Sequence, residues 1–285
     1  MPTKTLSAIV VTHNHAHFLA RCLDSLVPEV MRLGGEIIVV DNCSDDASAA
    51  IARRYPEIYL HVNQDRQGFA ANSNYGMALA EGRYLLLLNP DTEVLPGALE
   101  NLVRFMDNHP DVGLCGARLL FPNGQTQPSS RRFPTLGSFI ARRTPLRVFM
   151  QNSRFNRRHL MLNADHSQPQ PVDWLLGACL FVRRKALEEI GPLDEGYFLY
   201  VEDIDWARRM HQAGWKVYYV PTAQMIHHHL AVSDKHFLSQ RTWVHTLSML
   251  RYIRKFLLPP IPWLAIQESK TTVWNTTKKE KGTPF

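Results

Sequence analysis

The nonapeptide Leu85 to Glu93, LLLLNPDTE, places a carboxylate where chemistry is commonly done. Four leucines after Tyr84 predict a strand buried on both faces, and Asn89-Pro90 ends it, so that Asp91 emerges at its carboxyl end. In open α/β sheets ligands bind outside the carboxyl ends of strands, which makes Asp91 a candidate for a metal or phosphate site. Capping of a helix that starts near Pro96 explains the same acid equally well. A second concentration of acid is Glu202, Asp203 and Asp205, directly after the aromatic run YFLYV. Clustered carboxylates repel, and the cost is tolerated mainly where a base, a metal or a helix N-terminus requires it. Glu202 and Asp203 also suit the dipole of a helix predicted over 202–213; for the trio the functional account is favoured. His227, His228 and His229 cannot all face one metal, although one of them can. His13, His15 and His17 alternate across a strand-to-helix turn and are read as loop chemistry, not as a metal box.

These residues need elements to position them. Leu6–Thr12, Glu36–Val40, Ile58–Val62 and Leu85–Leu88 read as strands, and they alternate with helical patterns over 16–33, 44–54, 68–80 and 96–108. The alternation predicts a doubly wound, mostly parallel sheet. Asp41 then ends the second strand, and with Asp91 and the turn Thr12-His13-Asn14 it faces one crevice suited to a nucleotide. Neither GxGxxG nor GxxxxGK[ST] is present, which argues against dinucleotide-binding dehydrogenases and P-loop enzymes. Residues 121–172 are rich in Pro and Arg, and their clustered arginines favour a substrate-covering or membrane-facing loop over a merely solvated one. Trp174–Arg183 reads as a strand whose Gly177 and Ala178 permit close approach of a ligand or another backbone. Trp215–Val220 is a further strand. The run 240–258 is amphipathic: packing on the domain and lying on an anionic bilayer explain it equally well.

The chain has 285 residues, 45% hydrophobic and 20% charged, which suits one large α/β domain with a small appendage. No N-terminal secretory signal and no apolar run of membrane-spanning length is evident, and the four scattered cysteines predict reduced, buried thiols in a cytoplasmic protein. The net charge of +6 gathers in arginine clusters that attract polyanions. Without a nucleic-acid motif, an anionic membrane surface or a diphosphate substrate fits better, and no nucleic acid is expected. A non-catalytic, basic polyanion- or membrane-binding protein is the alternative of another class.

The segments IVVTHNH, IIVVDNCSDD, GFAANSNYGMALAEGRYLLLLNPDTE, VDWLLGACLFVRR and GPLDEGYFLYVEDIDWARRMHQAGWKVYYVPTAQMIHH, in this order, resemble the family 2 inverting glycosyltransferases. They are most similar to the rhamnosyltransferases of bacterial surface polysaccharide synthesis. The resemblance implies a GT-A fold, α/β and Rossmann-like, with helices on both faces of a mostly parallel sheet. The GT-A domain would span 1–235, its nucleotide-binding half 1–110 and its acceptor-binding half 111–235, followed by a helical extension over 236–268 and a disordered tail over 269–285. It further implies a nucleotide-sugar pocket of Thr12, His13, Asn14, Asp41, Asn74, Asn89 and Asp91, and an acceptor side shaped by Trp174, Gly177 and Ala178. Mg²⁺ or Mn²⁺ would be held by Asp91 and one histidine, preferably His228. Asp203 would be the general base, with Glu202 and Asp205 supporting it. Deoxythymidine diphosphate rhamnose is the preferred donor, with uridine diphosphate sugars as alternatives. The acceptor would be a saccharide, lipid-linked at the cytoplasmic face of the membrane.

Overall fold

The computed structural model describes residues 3–135, 153–162, 164–228 and 240–258. Arg142, Arg143 and Arg147 of the basic segment, His229 and residues 259–285 lie outside the described residues. The elements follow in order as β1 (Lys4–Thr12), α1 (Ala16–Arg32), β2 (Glu36–Asp41), α2 (Ser48–Ala52), β3 (Ile58–Val62), α3 (Phe69–Leu79), β4 (Gly82–Leu88), β5 (Thr92–Val94), α4 (Ala98–Asn108) and β6 (Val112–Leu120). They continue as β7 (Ser130–Arg131), α5 (Arg154–His159), β8 (Gln170–Pro171), β9 (Trp174–Leu175), β10 (Cys179–Arg183), α6 (Arg184–Ile190), α7 (Glu202–Gln212), β11 (Lys216–His227) and α8 (Gln240–Phe256).

One sheet runs through the domain in the order β3-β2-β1-β4-β10-β6-β11-β5, with β8 added beside β11. The first four strands are parallel, as the alternating sequence predicts. The continuation is mixed: β10 lies antiparallel between β4 and β6, β11 is parallel to β6, and β5 is antiparallel to β11. Alternate residues of each central strand serve two cores. Ala8, Val10, Leu86 and Leu88 pack toward α1 and α4, whereas Ile9, Leu85 and Leu87 pack toward α3, α6 and α7. Leu85–Leu88 are each at most 3% exposed, as a strand covered on both faces requires.

Three departures from the sequence expectation matter for the site. The run 174–183 is split by Leu176-Gly177-Ala178 into β9, which pairs with β7, and β10, which joins the main sheet. Because β10 runs antiparallel to β4, with Cys179 opposite Leu88, its first residues stand at the carboxyl end of β4. The strand beginning near 215 does not stop at Val220: Pro221 falls in an irregularity between Val220 and Gln224, after which β11 continues to His227. The helix expected over 44–54 is confined to Ser48–Ala52 and starts late, because Ser44 and Asp46 are spent bonding the neighbouring loop. All four cysteines are free thiols, with Cys22, Cys115 and Cys179 buried.

Candidate active site

At the carboxyl ends of β1 and β2, Thr12 and Asp41 are register partners and both fully buried. Asp41 Oδ2 accepts the Ser44 N–H at 3.0 Å, while Asp41 Oδ1 and Thr12 Oγ1 have no hydrogen-bond partner. Unsatisfied buried oxygens are costly, so this corner suits a ligand that brings N–H or O–H donors. The turn between β1 and α1 is stitched to the loop after β2. Ser44 Oγ accepts the Asn14 N–H, Ser48 Oγ the His15 N–H, and Asp46 Oδ2 the Ala16 N–H. Asn14 has a left-handed φ of 57° and accepts the Asp45 N–H on its own amide oxygen. The His13 ring is tied through Nδ1 to the Asn42 carbonyl at 2.8 Å. Asn14 and His13 thus shape this corner through their loop bonds.

Asn74 does not share the corner. Its amide nitrogen donates to the Leu193 carbonyl and to Glu195, and its oxygen accepts the Leu193 N–H, each at 2.9 Å. Expected at the donor, it instead buckles α3 to the loop that leads into α7.

Asp91 is 13% exposed, and His227 Nε2 stands 3.4 Å from its Oδ1. Burial works against the Asp91 anion, but the hydrogen bond and charge of His227, with the charge of His15, outweigh it and hold the carboxyl below its usual range. His15 lies in the same electrostatic neighbourhood: burial lowers its pKa, and the Asp91 charge partly opposes this. The histidine beside Asp91 is therefore His227, where His228 was expected. The strand register does not select it, since Asp91 precedes β5 in the turn from β4. His227 is opposite Thr92 in the β11–β5 pairing and is buried. The next residue turns to the other side, where His228 Nε2 meets Glu93 at 2.5 Å.

A second layer orients His227. Gln127 Nε2 donates to the His227 carbonyl at 2.6 Å, which directs Gln127 Oε1 toward the ring, 2.9 Å from Nδ1. Nδ1 must then carry a proton, so a neutral His227 aims the lone pair of Nε2 at the Asp91 carboxylate. Two electron-rich atoms held face to face call for a cation between them, either a proton or a metal ion, and a histidine whose other nitrogen donates to an amide oxygen is the usual form of a metal ligand. No group of three or more His, Cys, Asp or Glu among the described residues is spaced to hold an ion. The residues therefore fit a cation whose remaining ligands come with a diphosphate or with water.

The acidic trio divides. Glu202 and Asp203, 7% and 9% exposed, open α7. Burial, first, and the charge of Asp203 push the Glu202 carboxyl well above its usual range; burial also raises Asp203. Asp203 is the better stabilised anion of the two, since Oδ1 accepts the Ile204 N–H at 2.8 Å and Oδ2 the Gly177 N–H at 3.1 Å, and Arg131 adds favourable charge. Glu202 Oε2 has no hydrogen-bond partner. Asp205, expected to support the base, is an anchor elsewhere: it is fully buried and bonded to Arg209 at 2.7 Å, Lys255 at 2.8 Å and Tyr197 at 3.1 Å. Residues two apart on a helix point to different sides, which separates it from Asp203. Ahead of α7, Tyr200 and Val201 both have left-handed φ, 68° and 74°. For a β-branched residue this is a real outlier, stored directly before the carboxylates.

Two adjacent residues join the halves of the site. The Gly177 N–H holds Asp203, and the Ala178 carbonyl accepts the Asn89 N–H at 3.1 Å. The antiparallel entry of β10 thus fixes the Asn89–Asp91 turn and the Asp203 carboxylate to one short piece of backbone. Trp174 is buried, its indole N–H donating to the Arg132 carbonyl at 3.0 Å, and Ala178 is buried in the core. Gln127 and Arg131 are site neighbours that no motif marks in the sequence, whereas His15, the last residue of IVVTHNH, reads in the sequence only as loop chemistry.

A model of the glycosyl transferase family 2 matches residues 7–191. N-acetylglucosaminyl-diphospho-decaprenol L-rhamnosyltransferase of Mycobacterium tuberculosis is 30% identical over 239 residues, covering 79% of this chain and 76% of the relative. Rhamnosyltransferase WbbL of Escherichia coli is 28% identical, covering 87% of this chain and 92% of the relative. Among solved structures, GalNAc-T7 with UDP, GalNAc and Mn²⁺ superposes with a TM-score of 0.59 at 18% identity, over 79% of this chain and 44% of that one. Mannosyltransferase PcManGT from Pyrobaculum calidifontis in complex with GDP-Man and Mn²⁺ gives 0.56 at 17% identity, over 92% and 78%. The fold is the GT-A fold that the motifs imply, and the chain belongs to glycosyl transferase family 2.

Proposed function

We propose that this glycosyltransferase moves a rhamnosyl group from deoxythymidine diphosphate rhamnose, with inversion, to a hydroxyl of a lipid-linked saccharide during cell-surface polysaccharide synthesis. The names of the Mycobacterium tuberculosis and Escherichia coli relatives support the sugar, and the first of them supports a diphosphate-linked lipid acceptor. The observation that carries the mechanism is the Gly177-Ala178 link, which fixes a proton-accepting carboxylate relative to a cation-binding turn.

Asp203 takes the proton from the acceptor hydroxyl as that oxygen bonds to the anomeric carbon and the diphosphate leaves from the opposite face. Two amide N–H groups keep this carboxylate aimed, and burial raises its basicity. Asp41 and Thr12 offer their unpartnered oxygens to the base or ribose of the donor. Asp91 and His227 would hold Mg²⁺ or Mn²⁺, which when bound neutralises charge on the departing diphosphate. Gln127 fixes the His227 ring for that task. Localisation at the cytoplasmic face of a membrane follows from the lipid-linked acceptor.

Calorimetric titration with deoxythymidine diphosphate rhamnose and with uridine diphosphate N-acetylglucosamine and galactose, each with Mn²⁺ and with chelator, tests the proposal. Metal-dependent binding of the rhamnose donor alone is expected. Preference for a uridine diphosphate sugar overturns the donor, and binding unaffected by chelator overturns the cation site.

A further inference from the structure

Helix α8 has two apolar faces where a packed helix needs one. Met249, Tyr252 and Ile253 are buried against the domain, whereas Trp243, Leu247 and Leu250 are 67%, 58% and 51% exposed. The exposed three recur at helical spacing and form one stripe, with exposed Arg254 in the same row and exposed Leu258 two residues past the helix end. Single apolar residues scattered on a surface are ordinary, but three in a row mark an interaction surface.

The charge of the helix says what it meets. Residues 240–256 hold no acidic residue; Arg251 and Lys255 pair with Asp194, and Arg254 is exposed in the row of the stripe. A second copy seated on the stripe would bring Arg254 toward its counterpart, because a two-fold contact places the same patch on both sides. Tryptophan and leucines beside an arginine, with no acid on the helix, are instead the composition of helices that lie in the interface of an anionic bilayer. No described helix is long and apolar enough to cross a membrane, so such contact would be peripheral.

The inner face of α8 holds the segment that ends in the candidate base. Ser248 Oγ donates to the Leu199 carbonyl at 3.0 Å, Arg251 and Lys255 each reach Asp194 at 2.9 Å, and Lys255 reaches Asp205 at 2.8 Å. Leu199 carries its carbonyl to α8 only three positions before Glu202, and the preceding Phe198 accepts the Phe69 N–H from the start of α3 at 2.9 Å.

We infer that the Trp243, Leu247, Leu250 stripe of α8 docks this protein on an anionic bilayer and thereby seats the acceptor side of the crevice at the lipid surface. The second half of the statement rests on the proposed lipid-linked acceptor; the first does not. The test is flotation of the full chain with phosphatidylcholine vesicles, with and without phosphatidylglycerol. Wild type should float with the phosphatidylglycerol vesicles, and the L247E/L250E variant should bind them at least about tenfold more weakly. Met31→Glu, an exposed apolar residue on α1, serves as the control and should float like wild type. An unchanged thermal melt shows that the double variant is folded. Equal flotation of wild type and double variant, or none by wild type, overturns the inference; so does a wild-type dimer that the double variant dissolves. Transfer separates the two proposals. The double variant should keep wild-type transfer to a water-soluble short-chain diphosphate saccharide and lose about tenfold on the same acceptor in vesicles. Vesicle binding without transfer to either acceptor would overturn the proposed function and leave the docking surface standing.

Discussion

Asp91 and Asp203 are carboxylates at two corners of one crevice, and their surroundings push them in opposite directions. Both lose hydration. At Asp91 two histidines more than offset that loss and favour the anion. At Asp203 two amide donors and Arg131 offset only part of it, and Glu202 adjoins it with a second carboxylate that burial also disfavours as an anion. An acid held below its usual range keeps its charge and suits a cation; an acid held above it binds a proton more readily and suits a base. Residue type is the same at the two positions, so the division of labour is written in the neighbours. Sequence supplies those neighbours from far away, at His227 and Gln127 for one acid and at Gly177 and Arg131 for the other.

The largest test of this contrast is Asp203→Asn. Removing a general base costs about 10²–10⁴-fold in rate, so kcat should fall by that amount while metal-dependent donor binding, measured by calorimetry, stays within about twofold of wild type. A parallel loss of donor binding would make Asp203 a structural residue and dissolve the contrast.

Next comes the Asp91 corner. Gln127→Leu removes the group that fixes the His227 ring and should weaken Mn²⁺-supported donor binding about 10- to 100-fold, the usual cost of losing an outer-shell partner. His227→Ala should weaken it at least as much. His228→Ala, which removes a ring bonded to Glu93, should have much the smaller effect. If His228→Ala proves the costlier of the two, the Asp91–His227 contact is not the one that holds the ion.

Much of the parallel half was legible in the sequence because its signals are local. Leu85–Leu88, the two acids ending β2 and β4, and helices α1, α3 and α4 follow from short-range period and strand ends. The mixed half was not, since its architecture depends on long-range pairing. Nothing in WLLGACLFVR shows that β10 inserts antiparallel between β4 and β6, and that insertion is what brings Gly177 to Asp203 and Ala178 to Asn89. Pro221 reads as the end of a strand but sits in an irregularity within β11, and the strand's continuation to His227 is what brings that ring beside Asp91. Asn74 and Asp205 were assigned to chemistry by their motifs, yet their hydrogen bonds go to the 193–195 loop and to Arg209, Lys255 and Tyr197.

The smallest expected effect sharpens the contrast most. Glu202→Gln keeps the size of a buried side chain but deletes the second carboxylate of the pair. Because burial and the Asp203 charge raise the Glu202 pKa, the folded state binds a proton that the unfolded chain releases in the ordinary glutamate range. Wild-type stability should therefore decline as pH rises from that range to the raised value, and stay at its lowered level above it. The variant lacks this decline. Its gain should be absent at acid pH and reach on the order of 1 kcal/mol at pH 8, read from denaturant unfolding at several pH values. Glu202 has the higher pKa of the pair and is still protonated while Asp203 loses its proton, so the acid limb of the kcat/KM profile should stay in place. Donor binding at Asp91 should not change. A variant that gains stability equally at all pH values would show that Glu202 acts through packing, whereas an acid limb that shifts without loss of donor affinity would show that Asp203 titrates beside a charged Glu202 and not beside a protonated one.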